Sequence, residues 1–499
     1  MTTMLDDEDI SSVNRISPST SRRFEKTTVS KFRRQTSEEN GKRSDGNERS
    51  DGDTVKRRLL SAWNNVKFGL TSPSTTTFAE NHPAWILGKC YTFNSDIEEN
   101  SRLQKTHLNP PLPTSEFYRH FSSLMWFTYR KDFPQVGDSV YTTDTGWGCM
   151  IRSAQMMLAT GLSYYLLGRD FRTSGRCHSR AQRFFYKAIL RFFNDSPADL
   201  SPFSLHKLVK LSESFGKQAG DWFGPSLVAH VIKKALEESN HQVLQNSQGL
   251  RVYVSQDCTI YRDDVIRLCQ ECGSCNKQCS EDHWRSLIIL VPVRLGGENL
   301  NPIYQPCVKA LLTLDCCIGI IGGRPKHSLY FVGFQEDNLI YLDPHFCQPA
   351  VDMTSEAFPP ESFHCDSPRK IPIRKMDPSC TIGFYCATRE DFETFCTKAT
   401  EVVSPPMQKG SYPMFIVASG NCDKLMSTPH LESSLSFSDT KDIPTSDLFE
   451  YETGIYRNGE KYRVHEVGGE NLALGDRPAE DYVVLGSVKN NESFDFGDF

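Results

Sequence analysis

Apolar and polar positions divide the chain into three stretches. Residues 1–78 are dominated by Ser, Thr, Arg, Lys, Asp and Glu, with few apolar side chains. Such a stretch cannot bury enough surface to offset the entropy of ordering, so a disordered arm is expected. From 79 to 422 apolar residues recur with strand and helix spacings, and this stretch is long enough for a sizeable core. Residues 423–499 turn polar again and predict a flexible tail. Within the middle stretch, Met150, Met157, Leu158, Leu162, Tyr165 and Leu166 follow a helical period that opens at Cys149. The runs Ser328–Phe334 and Asn338–Leu342, separated by the polar segment Gln335-Glu-Asp-Asn338, predict two short strands joined by a turn. Arg285–Val293 predicts another strand. In the arm, residues 55–68 form a short basic amphipathic run around Trp63. It is open to three readings: a transient helix, a helix on an anionic membrane, or a helix on a partner.

Composition narrows the function classes. The formal net charge is −6, and the basic clusters are short and lie in the arm, which argues against general nucleic-acid binding. No glycine-rich phosphate loop of the G-x-x-x-x-G-K type is present, so a nucleotide role lacks support. No apolar run reaches the length of a membrane span, and the N-terminal residues contain no apolar core of a secretory signal. Asp6, Asp7, Glu8 and Asp9 are foreign to a mitochondrial transit peptide. The 17 cysteines without a signal peptide then imply a reducing, cytoplasmic setting.

Cys149 carries the leading candidate chemistry. In Thr143-Asp-Thr-Gly-Trp-Gly-Cys149-Met-Ile-Arg152, Gly146 and Gly148 form a turn that delivers one thiol to a helix start. Unpaired N–H groups and the positive end of the helix dipole favour the thiolate there. A cysteine seen alone reads equally as a packing residue, so its partners decide. A nucleophilic thiol needs a base, and the base needs an orienter. Among 13 histidines, His345 stands out in Leu342-Asp343-Pro344-His345. If the strand continued, Asp343 and His345 would point to one face, with Pro344 marking the strand exit. Cys149, His345 and Asp343 together form a coherent nucleophile, base and orienter. A second cluster, Cys269, Cys272, Cys275 and Cys279, lies in an apparent insertion at about 265–283. Its spacing admits a structural zinc, or a reduced and redox-sensitive thiol loop.

Several separated motifs resemble the autophagin cysteine proteases. They are Pro83-Ala-Trp85-Ile-Leu-Gly88, Trp126-Phe-Thr-Tyr129, Thr143 to Arg152, Gly220-Asp-Trp222-Phe-Gly-Pro225, Arg294-Leu-Gly296, Gly322-Gly-Arg-Pro325 and Leu342-Asp-Pro-His345, covering about residues 83–418. The resemblance implies an α+β, papain-like fold with an added small subdomain, between disordered tails. It implies a hydrolase that needs no cofactor, acts as a monomer and processes the ubiquitin-like autophagy modifier at its C-terminal glycine. Release of the modifier from phosphatidylethanolamine, with peripheral membrane contact through that substrate, is implied as well. By position, Cys149 matches the nucleophile, His345 the base and Asp343 the orienter. Tyr129 matches a tyrosine that supports the oxyanion, and Trp222 a tryptophan over the cysteine. Gly322, Gly323, Arg324 and Pro325 match a mobile gating loop, although the glycines also suit an ordinary turn. In the tail, Tyr482 and Leu485 of Ala479-Glu-Asp481-Tyr482-Val-Val-Leu485 resemble a modifier-docking motif, with Phe494, Phe496 and Phe499 as a weaker alternative. The four-cysteine insertion departs from the family pattern. The competing classes are a catalytically silent modifier-binding protein and another papain-like enzyme, such as a deubiquitinase or a transglutaminase. The complete residue set disfavours the first, and the Trp-Gly-Cys and Asp-Pro-His contexts disfavour the second.

Overall fold

Side chains of strand β6 (Leu287–Arg294) alternate between two cores. Leu287, Ile289, Val291 and Val293 enter one apolar cluster, and Ile288 and Leu290 enter the other. A strand buried on both faces belongs inside a sheet covered by helices on both sides. The computed structural model has this form. It describes residues 60–66, 76–93, 113–174, 178–197, 201–245, 249–271, 284–324, 327–355, 357–404 and 412–422, with the backbone of 455–457 and 460–462. One unit ends at Asn421. In the second unit, Ile455–Arg457 and Glu460–Tyr462 pair as an antiparallel hairpin.

The first unit is built on a nine-stranded sheet. Its strands are β1 (Ala84–Ile86), β2 (Lys89–Tyr91), β4 (Arg251–Val254), β6, β7 (Cys317–Arg324), β8 (His327–Gln335), β9 (Asn338–Leu342), β11 (Arg369–Pro372) and β12 (Ser379–Cys386). The main path runs β11-β9-β8-β7-β12-β6-β4, antiparallel except for the parallel β4–β6 pair. Strand β1 joins the last residues of β8, pairing Ile86 with Gly333. Two short parallel pairs lie apart: β3 (Tyr129–Lys131) with β10 (Cys347–Pro349), and β5 (Thr259–Tyr261) with β13 (Ile416–Ala418).

One face of the sheet is covered by α3 (Cys149–Leu167), α4 (Arg180–Phe192), α5 (Leu205–Ser212) and α6 (Pro225–Glu237). The other is covered by α7 (Arg262–Gln270), α8 (Gln305–Leu312) and α9 (Arg389–Val402). Local chemistry sets their starts. Proline occupies the first turn of α6, where a missing N–H costs nothing, and Thr388 with Asp391 forms a reciprocal capping box on α9. In α3 every residue from Cys149 to Leu162 is buried, so this helix lies in the core, its first turn against Ser328 of β8. Ile288 packs beneath it at Gly161, and truncating such a side chain to alanine costs roughly 2–5 kcal/mol. Mixed helices and sheet give the expected α+β class.

The short helix expected within 55–68 is present but bonded into the packed unit, and the gating segment differs from the expected loop. Residues 60–66 of the arm form a helix, α1, and Phe78 stacks on Phe93 at 5.2 Å and meets Phe117 edge-on at 4.7 Å. The packed unit therefore draws on residues placed in the disordered arm. The gating segment is also mostly strand. Gly322, Gly323 and Arg324 end β7 and pair with Leu329, Ser328 and His327. Gly323 has φ 134°, and a Cβ there would run into the His327 carbonyl oxygen, so its glycine serves close hairpin pairing. Pro325 lies outside the described residues.

Candidate active site

Strand β9 ends at Leu342, and the next residues turn instead of continuing extended. Asp343 causes the turn: its Oδ1 accepts the His345 backbone N–H at 3.0 Å, an Asx turn. The same oxygen accepts from His345 Nδ1 at 2.7 Å. Asp343 and His345 thus meet through a local turn rather than through a shared strand face. Trp126 Nε1 donates to the Asp343 carbonyl at 2.7 Å, and the Tyr129 N–H donates to the Pro344 carbonyl at 2.8 Å. Pairing of β10 with β3 then holds Tyr129 beside the histidine, its ring edge-on to the imidazole at 5.4 Å and 84°.

The thiol arrives from the opposite side. Gly148 is the N-cap of α3, and Cys149 is its first residue. Asp144 builds the approach: its carbonyl accepts the N–H groups of Trp147 and Gly148 at 3.2 and 2.9 Å. A side chain on Gly148 would place Cβ 2.5 Å from Asp144 Oδ2. The Asp144 carboxylate takes the Arg130 N–H at 2.7 Å and Arg152 Nε at 2.8 Å. Arg152 also reaches Asp195 at 2.9 Å and Gln155 at 3.2 Å. Burial opposes charge on Arg152, but the two carboxylates outweigh it and hold the guanidinium protonated.

At the junction Cys149 lies among His345, Tyr129 and the Ser328 backbone, all of which favour its charged form. Burial alone would raise its pKa, yet these partners, led by His345, bring the thiol below its ordinary value. The helix N-terminus acts in the same direction. Burial also opposes the His345 imidazolium, but Asp343 and Cys149 raise that group to about 9. Against its own burial, the nearby His327 imidazole and the hydrogen-bonded His345 hold Asp343 well below the usual carboxylate range. Burial, then the neighbouring thiolate, push the Tyr129 phenol well up, so it stays a donor. The arrangement can hold a thiolate–imidazolium pair with an adjacent phenol O–H.

Sequence reasoning missed several neighbours. His327, at the start of β8, stacks on His345 with ring centroids 3.7 Å apart and planes 5° from parallel. His327, Asp343 and His345 place possible ligand atoms within 4.8 Å of one another. Parallel rings do not converge their nitrogen lone pairs on one point, and His345 Nδ1 is engaged by Asp343, so the geometry fits a hydrogen-bonded set better than a metal site. Helix α1 is a second unforeseen neighbour. Asn65 Nδ2 donates to the Cys347 carbonyl at 3.0 Å, and Asn65 Oδ1 accepts the Cys347 N–H at 2.8 Å. Ser61 Oγ bonds Thr145 Oγ1 at 3.3 Å. The helix turns its polar side inward and leaves Leu60, Trp63 and Val66 exposed.

Other predicted residues fare differently. Trp222 lies in the loop before α6 and is 56 % exposed. Cys269 lies in the last turn of α7, buried in the apolar core, and burial pushes its thiol up to about 12. Cys272, Cys275, Cys279, Tyr482 and Leu485 lie outside the described residues. Among the described residues no helix is long and apolar enough to cross a membrane.

Comparison with known proteins agrees with this chemistry. Residues 114–398 match the peptidase C54 catalytic domain. A cysteine protease ATG4D of Xenopus laevis is 41 % identical over 446 residues, covering 80 % of this chain and 89 % of the relative. A cysteine protease ATG4C of Homo sapiens is 39 % identical over 424 residues, covering 74 % and 90 %. A cysteine protease ATG4B of Oryza sativa subsp. japonica is 34 % identical over 378 residues, covering 74 % and 75 %. A thiol at a helix start, engaged by a histidine that an aspartate holds, within a matching catalytic domain, places the chain in the peptidase C54 family, the autophagins: it is an autophagy-related cysteine protease.

Proposed function

We propose that this chain cleaves the ubiquitin-like autophagy modifier after its C-terminal glycine, exposing that glycine, and also cleaves the amide linking it to phosphatidylethanolamine. The reading rests on His345 favouring the Cys149 thiolate while Asp343 holds its Nδ1 at 2.7 Å. The Cys149 thiolate attacks the glycine carbonyl carbon, and the new C–S bond places negative charge on the carbonyl oxygen. The Tyr129 O–H donates toward that oxygen. As the C–N bond breaks, the His345 imidazolium gives its proton to the leaving amine. Water then attacks the thioester, His345 takes its proton, and the thiolate leaves. Asp343 keeps the imidazole in one tautomer throughout. Only the leaving amine separates the two reactions: a peptide in processing, an ethanolamine in delipidation. Trp222, exposed near the start of α6, supplies a flat ring for a narrow glycine tail, and Tyr482 with Leu485 supplies a docking segment. The reaction is placed in the cytoplasm, where thiols stay reduced.

The test compares intact protein with Cys149→Ala, under reducing conditions, on the modifier extended past its C-terminal glycine. Cleavage by the first alone is expected. Cleavage by both overturns the nucleophile, and binding without cleavage by either favours a docking protein. The bonds from α1 to Cys347 and Thr145 support a tuning role for the arm. Removing residues 1–66 while retaining Phe78 is expected to raise the cleavage rate, and an unchanged rate ends that part of the reading.

A further inference from the structure

The Asp343 carboxylate faces two histidines, and the mechanism uses one. Oδ1 serves His345, while Oδ2 faces His327 Nε2 across 3.9 Å and Arg369 Nη1 across 3.5 Å. His327 lies flat on one face of His345, and Tyr129 stands edge-on to the same ring. The base is therefore clamped by a plate and an edge. The plate is itself titratable and sits close enough to exchange charge effects with the base.

We propose that His327 positions His345 and senses protons for the site: neutral, it holds the imidazole in plane against Asp343; protonated, it disarms the nucleophile. The inference rests on His345 acting as the base. The surrounding charges set its direction. Asp343, next to β9, is the carboxylate that favours a proton on His327. The His345 imidazolium, Arg324 across the hairpin on β7, and Arg369 on β11 oppose it. Burial opposes it most, so the imidazole titrates below the ordinary histidine value. At neutral pH His327 is then neutral, and stacking costs nothing electrostatically. On acidification it takes one proton from solvent and becomes a cation lying 3.7 Å from a second cation. It also competes for the carboxylate that stabilises the imidazolium. The strain is relieved when His345 returns its proton to the Cys149 thiolate, leaving neutral imidazole and neutral thiol. One proton has entered the site, and the nucleophile is lost.

The experiment follows alkylation of Cys149 by iodoacetamide in the full chain, between about pH 5 and pH 9, the range in which histidines titrate. Each cysteine other than Cys149 is accounted for by subtracting the Cys149→Ala profile. This reads the thiolate without the modifier, so a mistaken substrate leaves the test intact. The quantity compared is the ratio of rates at about pH 8 and pH 5, which cancels differences in basal reactivity and reaches below the ordinary histidine range. His327→Phe keeps a flat ring that cannot be protonated, and His327→Ala removes the plate. The Phe variant is expected to flatten the acidic fall, reducing the ratio about threefold or more, roughly the effect of removing one titration in this range. The Ala variant is expected to flatten it too and to lower kcat on a peptide substrate more than it raises KM. A ratio unchanged in both variants, with unchanged thermal unfolding, overturns the proposal. If the Phe variant unfolds early, His327→Gln gives the same test without a bulkier ring, and an acidic limb as steep as in the parent overturns it equally.

Discussion

Cys149 and Cys269 are both buried helix cysteines, at 4 % and 0 % exposure, yet their chemistry is opposite. Cys149 opens α3, with the positive end of the helix dipole and His345, Tyr129 and the Ser328 backbone around it. Cys269 sits in the last turn of α7, among apolar side chains on the far side of the sheet. Burial disfavours a thiolate in both places. At Cys149 the partners reverse its effect, whereas at Cys269 the charges of Arg251 and Arg285 offset only part of it, so that thiol rises to about 12. Reactivity is thus a property of what surrounds a buried thiol, and burial alone predicts inertness.

The widest separation of the two cysteines comes from deleting each thiol. Cys149→Ala is expected to lower the cleavage rate by at least about 10³-fold with unfolding unchanged, while Cys269→Ala leaves the rate and loses about 1–3 kcal/mol of stability. Rate and chemical denaturation, measured on both variants, check this. Asp343→Asn removes the orienter while keeping its shape, and kcat is expected to fall roughly 10³-fold, the scale of a wrong imidazole tautomer. A fall confined to KM would contradict that role. Arg152→Ala strands Asp144 and Asp195 as buried carboxylates, and a loss of roughly 3–5 kcal/mol is expected, read from the denaturation midpoint. The smallest effect is a pH limb. His345 is raised to about 9, above its unfolded value, so the stability it contributes is full below the ordinary histidine range and is lost as pH rises through about 9. Cleavage is expected to fall in the same window as the imidazolium deprotonates. In Asp343→Asn that alkaline limb should move toward neutrality, and a limb left in place would contradict the assignment.

Legibility in the sequence followed distance along the chain. Asp343 and His345 were visible because a two-residue spacing is local. The turn that joins them was not, because an Asx turn and a continued strand bring the same two residues together. Cys149 was visible because its glycines mark a helix start, and the two strands after it were visible because their alternation is regular. Asp144 and Arg152 lay inside a quoted motif without a role, since Asp195 and Arg130 reach them from other elements. An arginine within the apolar run Met150, Ile151, Ala154 was the available signal, because a buried guanidinium requires carboxylates. His327 had no local signal, as its neighbour comes from across a hairpin and the following turn. Two adjacent glycines read as a hinge, whereas the fold uses them to let β7 and β8 approach closely.

The thiolate at Cys149 exists only while α3, β8 and the turn after β9 are held together. No short stretch of chain carries its activating partners. If the helix separates from the sheet, His345 and Ser328 leave the sulfur, and the thiol returns toward its ordinary, protonated state. A damaged or half-made copy of this protease is then chemically quiet before it is anything else, and the fold serves as a safety catch on its own reagent.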